Sequence, residues 1–288
     1  MSKGLLDPKV DFVFKNIFGS PNHPEILISF LNATLKAKKK IVNVDIKKTD
    51  IEKQYIEDKY SRLNVKATTS NDEIINIEIQ LKNENNMVKR SLYYLSKMYE
   101  EQLNEKEDYS KLVRTVCINI LNFKYLKTDN FHTGYRFKEI ESNEELTDIM
   151  EVHFIEIPKL QDSSDEKDML VAWTEFLKDP ESEKVRGLEL SIEEIRQAKD
   201  ELIRMSNDST QRELYDMRAN SLRDKMSELN AAERKGIEKG REEGRKEGIE
   251  EGRKEEKIEI ARNMKLSGID TNTIAKITNL SEDEIDKL

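Results

Sequence analysis

Residues 62–81 read RLNVKATTSNDEIINIEIQL and predict two strands joined by a tight turn. Apolar residues occupy every second position in 63–67 and again in 75–81. This period of two is typical of strands that bury one face. Residues 70–72, Ser-Asn-Asp, are turn formers between the two limbs. The stretch therefore predicts a β-hairpin with one apolar and one polar face.

The polar face of this hairpin carries an acid and two amides. If the turn is centred on Asn71, Asn64 pairs with Glu78 across the ladder, and Gln80 follows two residues along the same face. Carboxylate and carbonyl oxygens suit hard cations such as Mg²⁺. A polar row of this kind on the non-core face of a hairpin is how several metal-dependent phosphodiesterases hold their ion.

The composition indicates a folded domain with extended, solvated helices. The chain has 288 residues, of which 36% are hydrophobic and 37% are charged. Its one cysteine, Cys117, excludes a disulfide within the chain and fits a reducing cytoplasm, which is the expected location. Neither a signal peptide nor a membrane span is expected.

The charge is unevenly distributed along the chain. Residues 1–128 contain 22 Lys and Arg against 17 Asp and Glu, a net of +5, whereas the remainder has a net of −14. A mildly basic first half suits contact with phosphates. The second half could repel DNA or shield the first half. Solvated helical faces explain the same distribution equally well.

Three further blocks make a family resemblance specific. LLDPKVDFVFKNIFG (5–19), KRSLYYLSKMYEEQL (89–103) and YSKLVRTVCINIL (109–121) flank the hairpin in order. Together with the I-E-I-Q end of the hairpin, they resemble the recombination-promoting nuclease or transposase family of the PD-(D/E)XK superfamily, over roughly residues 5–160. The resemblance implies an α/β fold, a restriction-endonuclease-like mixed sheet flanked by helices, followed by an all-α C-terminal region.

The resemblance also implies roles for individual residues. The family pattern D…ExQ places Asn64, Glu78 and Gln80 in the catalytic site, and the block DFVFKNIFG adds Asp11 beside it. The resemblance places a Mg²⁺ or Mn²⁺ ion on Asn64, Glu78 and the carbonyl of Ile79. The substrate-binding residues implied are Lys15, Arg90, Tyr93 and Gln102. For Asp11 with Lys15, a surface ion pair is an equal alternative. Arg90 and the tyrosines of its helix could equally be solvated or packed.

One position departs from the family pattern. Asn64 stands where the family has Asp, so a neutral carbonyl replaces a full negative charge at the expected ion. We therefore expect this chain to be a weakened or inactive metal-dependent DNA endonuclease. The alternative is a degenerate nuclease fold that acts in binding or assembly through its C-terminal tail.

Four segments are expected along the chain. They are a nuclease-like core (1–160), a helical extension packed on it (161–230), a charged, Gly-spaced helix or linker (231–265) and a small helical hairpin (266–288). Glycine at every fourth position from Gly236 to Gly252 would allow two helices to approach closely, so a homo-oligomer, most simply a dimer, is expected. The last segment has the rhythm of a helix-turn-helix, but it is acidic, which favours protein contact over DNA reading.

Local patterns set the individual elements. A helix is predicted over 7–18 with Asp7 as its N-cap, and an amphipathic helix over 86–103. His132 and His153 are expected to be structural. Strands are predicted at 41–46, 113–121, 131–140 and 152–157.

Overall fold

The predicted hairpin lies inside a six-stranded mixed sheet in the structure, a computed structural model that describes residues 4–36, 39–47, 65–83, 85–165 and 167–288. Its strands are β1 (Val44–Ile46), β2 (Val65–Thr69), β3 (Ile74–Gln80), β4 (Thr115–Leu121), β5 (His132–Lys138) and β6 (Glu145–Glu156). They lie in the order β1-β2-β3-β4-β6-β5. β3, β4 and β6 are parallel neighbours, and the remaining pairs are antiparallel.

The hairpin turns where the sequence predicts. Val65 lies opposite Ile77 and Thr68 opposite Ile74, so the register is centred on Asn71. Asp72 has a φ of 59°, the left-handed conformation that Asp adopts more readily than most residues. Asn64 lies outside the described residues, so its predicted pairing with Glu78 stays a prediction.

Helices cover both faces of the sheet. Two helices precede the sheet, α1 (Asp11–Phe18) and α2 (Pro24–Leu35), and α3 (Met87–Glu100) connects β3 to β4. Three helices follow the sheet: α4 (Met169–Lys178), α5 (Glu183–Ser191) and α6 (Glu193–Asn207). Side chains alternate along a strand, so Ile75, Ile77 and Ile79 all point into the main core, which α1, α2, α4 and α6 complete. The opposite face of the sheet is covered by α3 through Met87 and Leu95. The mixed sheet flanked by helices confirms the predicted fold class.

Two predicted boundaries differ most from the structure. α1 begins at Asp11 rather than residue 7, because the Asp7 carboxylate accepts the N–H of Lys9 at 2.9 Å and forms a local turn. β6 begins at Glu145, seven positions before the predicted strand of 152–157. Its first half is largely exposed and polar, so it lacks the apolar periodicity on which the prediction depended.

The chain divides into two compact units, Met1–Leu222 and Arg223–Leu288. The helix α7 spans Ser209–Leu266, so the glycine-spaced segment is helical. No helix in the described part of the chain is both long enough and apolar enough to cross a membrane.

The second unit ends in a small helical module. The end of α7, α8 (Thr271–Thr278) and α9 (Glu282–Asp286) pack around Ala261, Ile274 and Ile285. A capping box between Ser281 and Glu284 is present at the start of α9. At the start of α8, the Asp270 side chain accepts the N–H of Thr273.

Candidate active site

Glu78 and Gln80 lie together on the face of β3 that points away from the main core. Glu78 is 2% exposed and Gln80 is 7% exposed. The Gln80 amide donates to Glu78 Oε1 at 2.5 Å. Both residues lie near the carboxyl end of β3, beside Asn119 and Leu121 of the parallel strand β4. Two of the four side chains that the resemblance identifies as catalytic are therefore in direct contact.

Arg90 also binds the Glu78 carboxylate. Its Nη2 donates to Glu78 Oε1, and its Nε lies 3.4 Å from Oε2. The guanidinium also lies over the Tyr94 ring, 5.1 Å from its centre. The carboxylate and guanidinium side chains are 3% and 13% exposed. A buried carboxylate requires a compensating positive charge, and the first turns of α3 supply it.

Asn76 and Cys117 continue the polar row below Glu78. Asn76 is 3% exposed, and within the described residues its Oδ1 accepts no hydrogen bond. Cys117 lies beside it on β4. Burial raises the pKa of the Cys117 thiol to about 12, and the charge of Glu78 adds to this effect. The thiol is therefore protonated and unreactive near neutral pH.

The oxygen donors of this row fit a hard divalent cation. They are the Glu78 carboxylate, the Gln80 amide and Asn76 Oδ1, and such oxygens are typical ligands of Mg²⁺. Among the described residues, no three His, Cys, Asp or Glu side chains come together as a metal cluster. Among the described side chains, a metal at Glu78 would therefore have one carboxylate, with amide and carbonyl oxygens as its other ligands. Ile79 lies between Glu78 and Gln80 with its side chain in the main core.

Two of the substrate-binding residues that the resemblance implies, Tyr93 and Lys15, lie on α3 and α1. Tyr93 is 52% exposed on α3 and stacks edge-on against Tyr94 at 5.6 Å. Lys15 is buried in the second half of α1. Gly19, directly after α1, lies against both Lys15 and Val65, since a Cβ added at Gly19 would lie 3.5 Å from Lys15 Cγ and 3.3 Å from Val65 Cγ2. This packing brings the end of α1 to the first described residue of β2.

Asp11 and Gln102 have partners elsewhere. Asp11 lies 3.7 Å from Arg218 in an ion pair. The Gln102 amide donates to Thr115 Oγ1 at 2.7 Å, and its oxygen accepts the N–H of Val113 at 2.8 Å. Thr115 lies level with Ile74, four residues and ~13 Å along the strand from Glu78. The structure therefore does not bring Gln102 to the Glu78 pair.

A second charged network is centred on Glu151, near the middle of β6. Glu151 accepts hydrogen bonds from Arg114, from Arg136 at 2.9 Å and from His153 at 2.6 Å. The His153 ring stacks on His132 and lies 2.9 Å from its Nε2. The partners of both histidines are protein groups, which fits the structural role expected for them.

The network shifts two titratable groups. Burial raises the pKa of Glu151, but hydrogen bonds from His153 and Arg114 outweigh it and hold that pKa at about 2. Burial, followed by the charge of His153, lowers the pKa of His132 to about 4. Glu151 is therefore ionised and His132 neutral at pH 7.

Sequence reasoning missed a loop beside the candidate site. The segment NFKYLK at 122–127 follows β4, and the N–H of Asn122 donates to the carbonyl of Gln80 at 2.9 Å. Alternating basic and aromatic residues were the only local signal. The groups that fix this loop, Glu156 and Lys159, lie about 30 positions further along the chain and carry no local signal.

The sheet topology and the Glu-x-Gln pair place the chain in the PD-(D/E)XK class of nucleases. Residues 8–232 match the model of a family described as PD-(D/E)XK nuclease family transposase. Because the match spans well over half of the chain, the chain belongs to this family. The resemblance stated from the sequence is thereby confirmed.

A second family model matches the end of the chain. Residues 254–288 match the Rpn/YhgA-like nuclease family, C-terminal HTH domain. The helix-turn-helix rhythm predicted for the last residues is thus confirmed, and the module also includes the end of α7. No curated protein and no solved structure matches the chain significantly.

Proposed function

We propose that this chain is a metal-dependent DNA endonuclease that hydrolyses phosphodiester bonds and promotes DNA cleavage in recombination. The observation that carries the proposal is the buried contact between Glu78 and Gln80, on the non-core face of the central hairpin. Membership of a nuclease family supports it. The Arg90 guanidinium on the same carboxylate shows how strongly this site attracts positive charge.

The proposed ligands are the Glu78 carboxylate, residue 64 and the carbonyl of Ile79. When bound there, Mg²⁺ or Mn²⁺ polarises the scissile phosphate and lowers the pKa of a water. Gln80, which contacts Glu78, positions the attacking water through its amide. Because Gln80 is neutral, it adds no positive charge to the transition state. With an ion on Glu78, Arg90 would keep only part of its contact with that carboxylate, and its guanidinium would be available to bind a phosphate.

Asn64 sets the level of activity in this proposal. Asn contributes one neutral oxygen where Asp would contribute a charge, so the ion binds weakly and cleavage is slow. The test compares the parent chain with Asn64→Asp on supercoiled plasmid, with Mg²⁺, Mn²⁺ or a chelator. We expect Asn64→Asp to gain chelator-sensitive nicking. An Asn64→Asp variant that binds metal and leaves DNA intact would contradict the proposal.

A second candidate function is binding or assembly through the C-terminal helices. The observation that favours it is the exposure of apolar side chains on α7, with Ile237 at 54% and Ile249 at 46%. Gly236 and Gly244 each face open space on the same helix. A helix of this kind buries little apolar surface alone and gains order from a partner. On this proposal, the tail forms a homodimer or contacts another protein, whether or not the nuclease site is active.

A further inference from the structure

The loop that follows β4 is held rigid by a buried ion pair. Glu156 is 0% exposed, and its Oε1 accepts the backbone N–H groups of Tyr125 and, at 3.1 Å, Leu126. Lys159 Nζ donates to the carbonyls of Leu126 at 2.7 Å and Thr128 at 2.6 Å. It also contacts Glu156 at 2.6 Å. Both charges are thus used to fix the backbone of one loop, at the desolvation cost that burying an ion pair carries.

This loop lies directly beside the candidate active site. The N–H of Asn122 donates to the carbonyl of Gln80 at 2.9 Å. At its middle, Tyr125 Oη lies 3.5 Å from the N–H of Val88, in the first turn of α3. Arg90, two residues further along α3, holds Glu78. The loop therefore contacts both elements that carry the Glu78 group.

Two lysines of the loop are exposed and form no ion pair with an acid among the described residues. Lys124 and Lys127 are both exposed, and neither forms an ion pair with any residue in the part of the chain that the structure describes. Lys97 and Lys111, by contrast, lie 3.5 Å and 2.8 Å from neighbouring glutamates. One acid, Asp129, is also exposed on the loop. Two uncompensated ammonium groups on a fixed backbone are well placed to bind phosphates, because little conformational freedom is lost on contact.

We propose that residues 122–128 form a DNA-backbone contact, in which Lys124 and Lys127 bind phosphates that flank the one held at Glu78. This proposal rests on the proposed nuclease function, because it identifies where the substrate of that site continues. The two ammonium groups bind phosphate by charge and carry no sequence information. Glu156 and Lys159 are positioning residues that keep the loop in its binding conformation.

The test measures binding of the full chain to a DNA duplex at several salt concentrations, in the presence of a chelator. The Lys124→Gln/Lys127→Gln variant should lower the salt slope of log K by about 2, and each single variant by about 1, equally on unrelated sequences. Lys97→Gln/Lys111→Gln is the matched control, since it removes two exposed lysines that have acidic partners. Its slope should equal that of the parent.

The outcomes separate the two proposals. A parent slope retained by Lys124→Gln/Lys127→Gln, or an equal fall in the control, would overturn the loop proposal alone. A parent chain that binds no DNA at any salt concentration would overturn the proposed function and the loop proposal together. Binding of duplex RNA in preference to DNA by the parent would also overturn the loop proposal as stated.

Discussion

At the scale of the residue, the candidate site is controlled by what neutralises one buried carboxylate. Gln80 and Arg90 both donate to Glu78 Oε1, and the Arg90 guanidinium supplies the positive charge that this buried carboxylate requires. This contact gives Arg90 a structural contribution in addition to any contact with DNA.

The Arg90→Ala variant tests this balance. Removing one partner of a buried ion pair leaves an uncompensated charge, so the free energy of unfolding should fall by about 3 kcal/mol. Urea unfolding followed by circular dichroism measures it. Lys97→Ala on the same helix, whose ion pair with Glu101 is exposed, should change the value by less than about 1 kcal/mol. Equal decreases in the free energy of unfolding for the two variants would show that the Glu78–Arg90 ion pair stabilises the fold no more than an exposed ion pair does.

At the scale of the element, the sequence predicts what local patterns encode and misses what distant residues decide. The turn at Asn71 and the shared face of Glu78 and Gln80 follow from a period of two. The first half of β6 could not be predicted in this way, because its polar residues are typical of a loop. The hydrogen bonds by which Glu156 and Lys159 hold the loop after β4 could not be predicted either, because these residues meet the loop only in the folded sheet.

The β5–β6 hairpin has an expected pH dependence. The lowered pKa values of His132, about 4, and of Glu151, about 2, mean that folding disfavours protonation of both groups. Their contributions are present above their ordinary pKa values of 6.5 and 4.5 and are lost as pH falls toward 4 and 2. The free energy of unfolding should therefore fall steadily below pH 6.5.

Denaturant unfolding at a series of pH values checks this dependence, with His132→Gln as the control. This variant should lack the part of the decline between pH 6.5 and 4, and keep the part below pH 4.5 that Glu151 causes. A parent chain whose stability is constant from pH 6.5 to 4 would contradict the assigned role of the histidine pair.

At the scale of the whole molecule, the chain combines a mixed-sheet nuclease unit with a second, helical unit. The sequence predicts an all-α region after the sheet, because the composition changes from alternating strands to charged helices, whereas the bounds of its four segments stay a prediction. It left open whether the glycine-spaced segment is a helix, since glycine lowers helix propensity by about 1 kcal/mol per residue while Glu–Lys and Glu–Arg pairs offset only part of that. The structure has a continuous helix there.

Removal of residues 230–288 tests the role of this segment. The truncated chain should remain folded, because the first compact unit ends at Leu222. If α7 pairs with a second copy, sedimentation equilibrium should give a dimer for the full chain and a monomer for the truncated chain. The same number of chains per assembly in both would exclude an oligomer formed by the tail.

The central claim is that Glu78 carries metal-dependent hydrolysis at this site. The most direct measurement is the rate of single-turnover DNA cleavage by three chains that share Asn64→Asp. One has no further change, one adds Glu78→Ala, and the control adds Glu105→Ala at an exposed glutamate outside β3. We predict Mg²⁺- or Mn²⁺-dependent cleavage by the first and third chains and none by the second. Cleavage that survives Glu78→Ala at the same rate would contradict the claim.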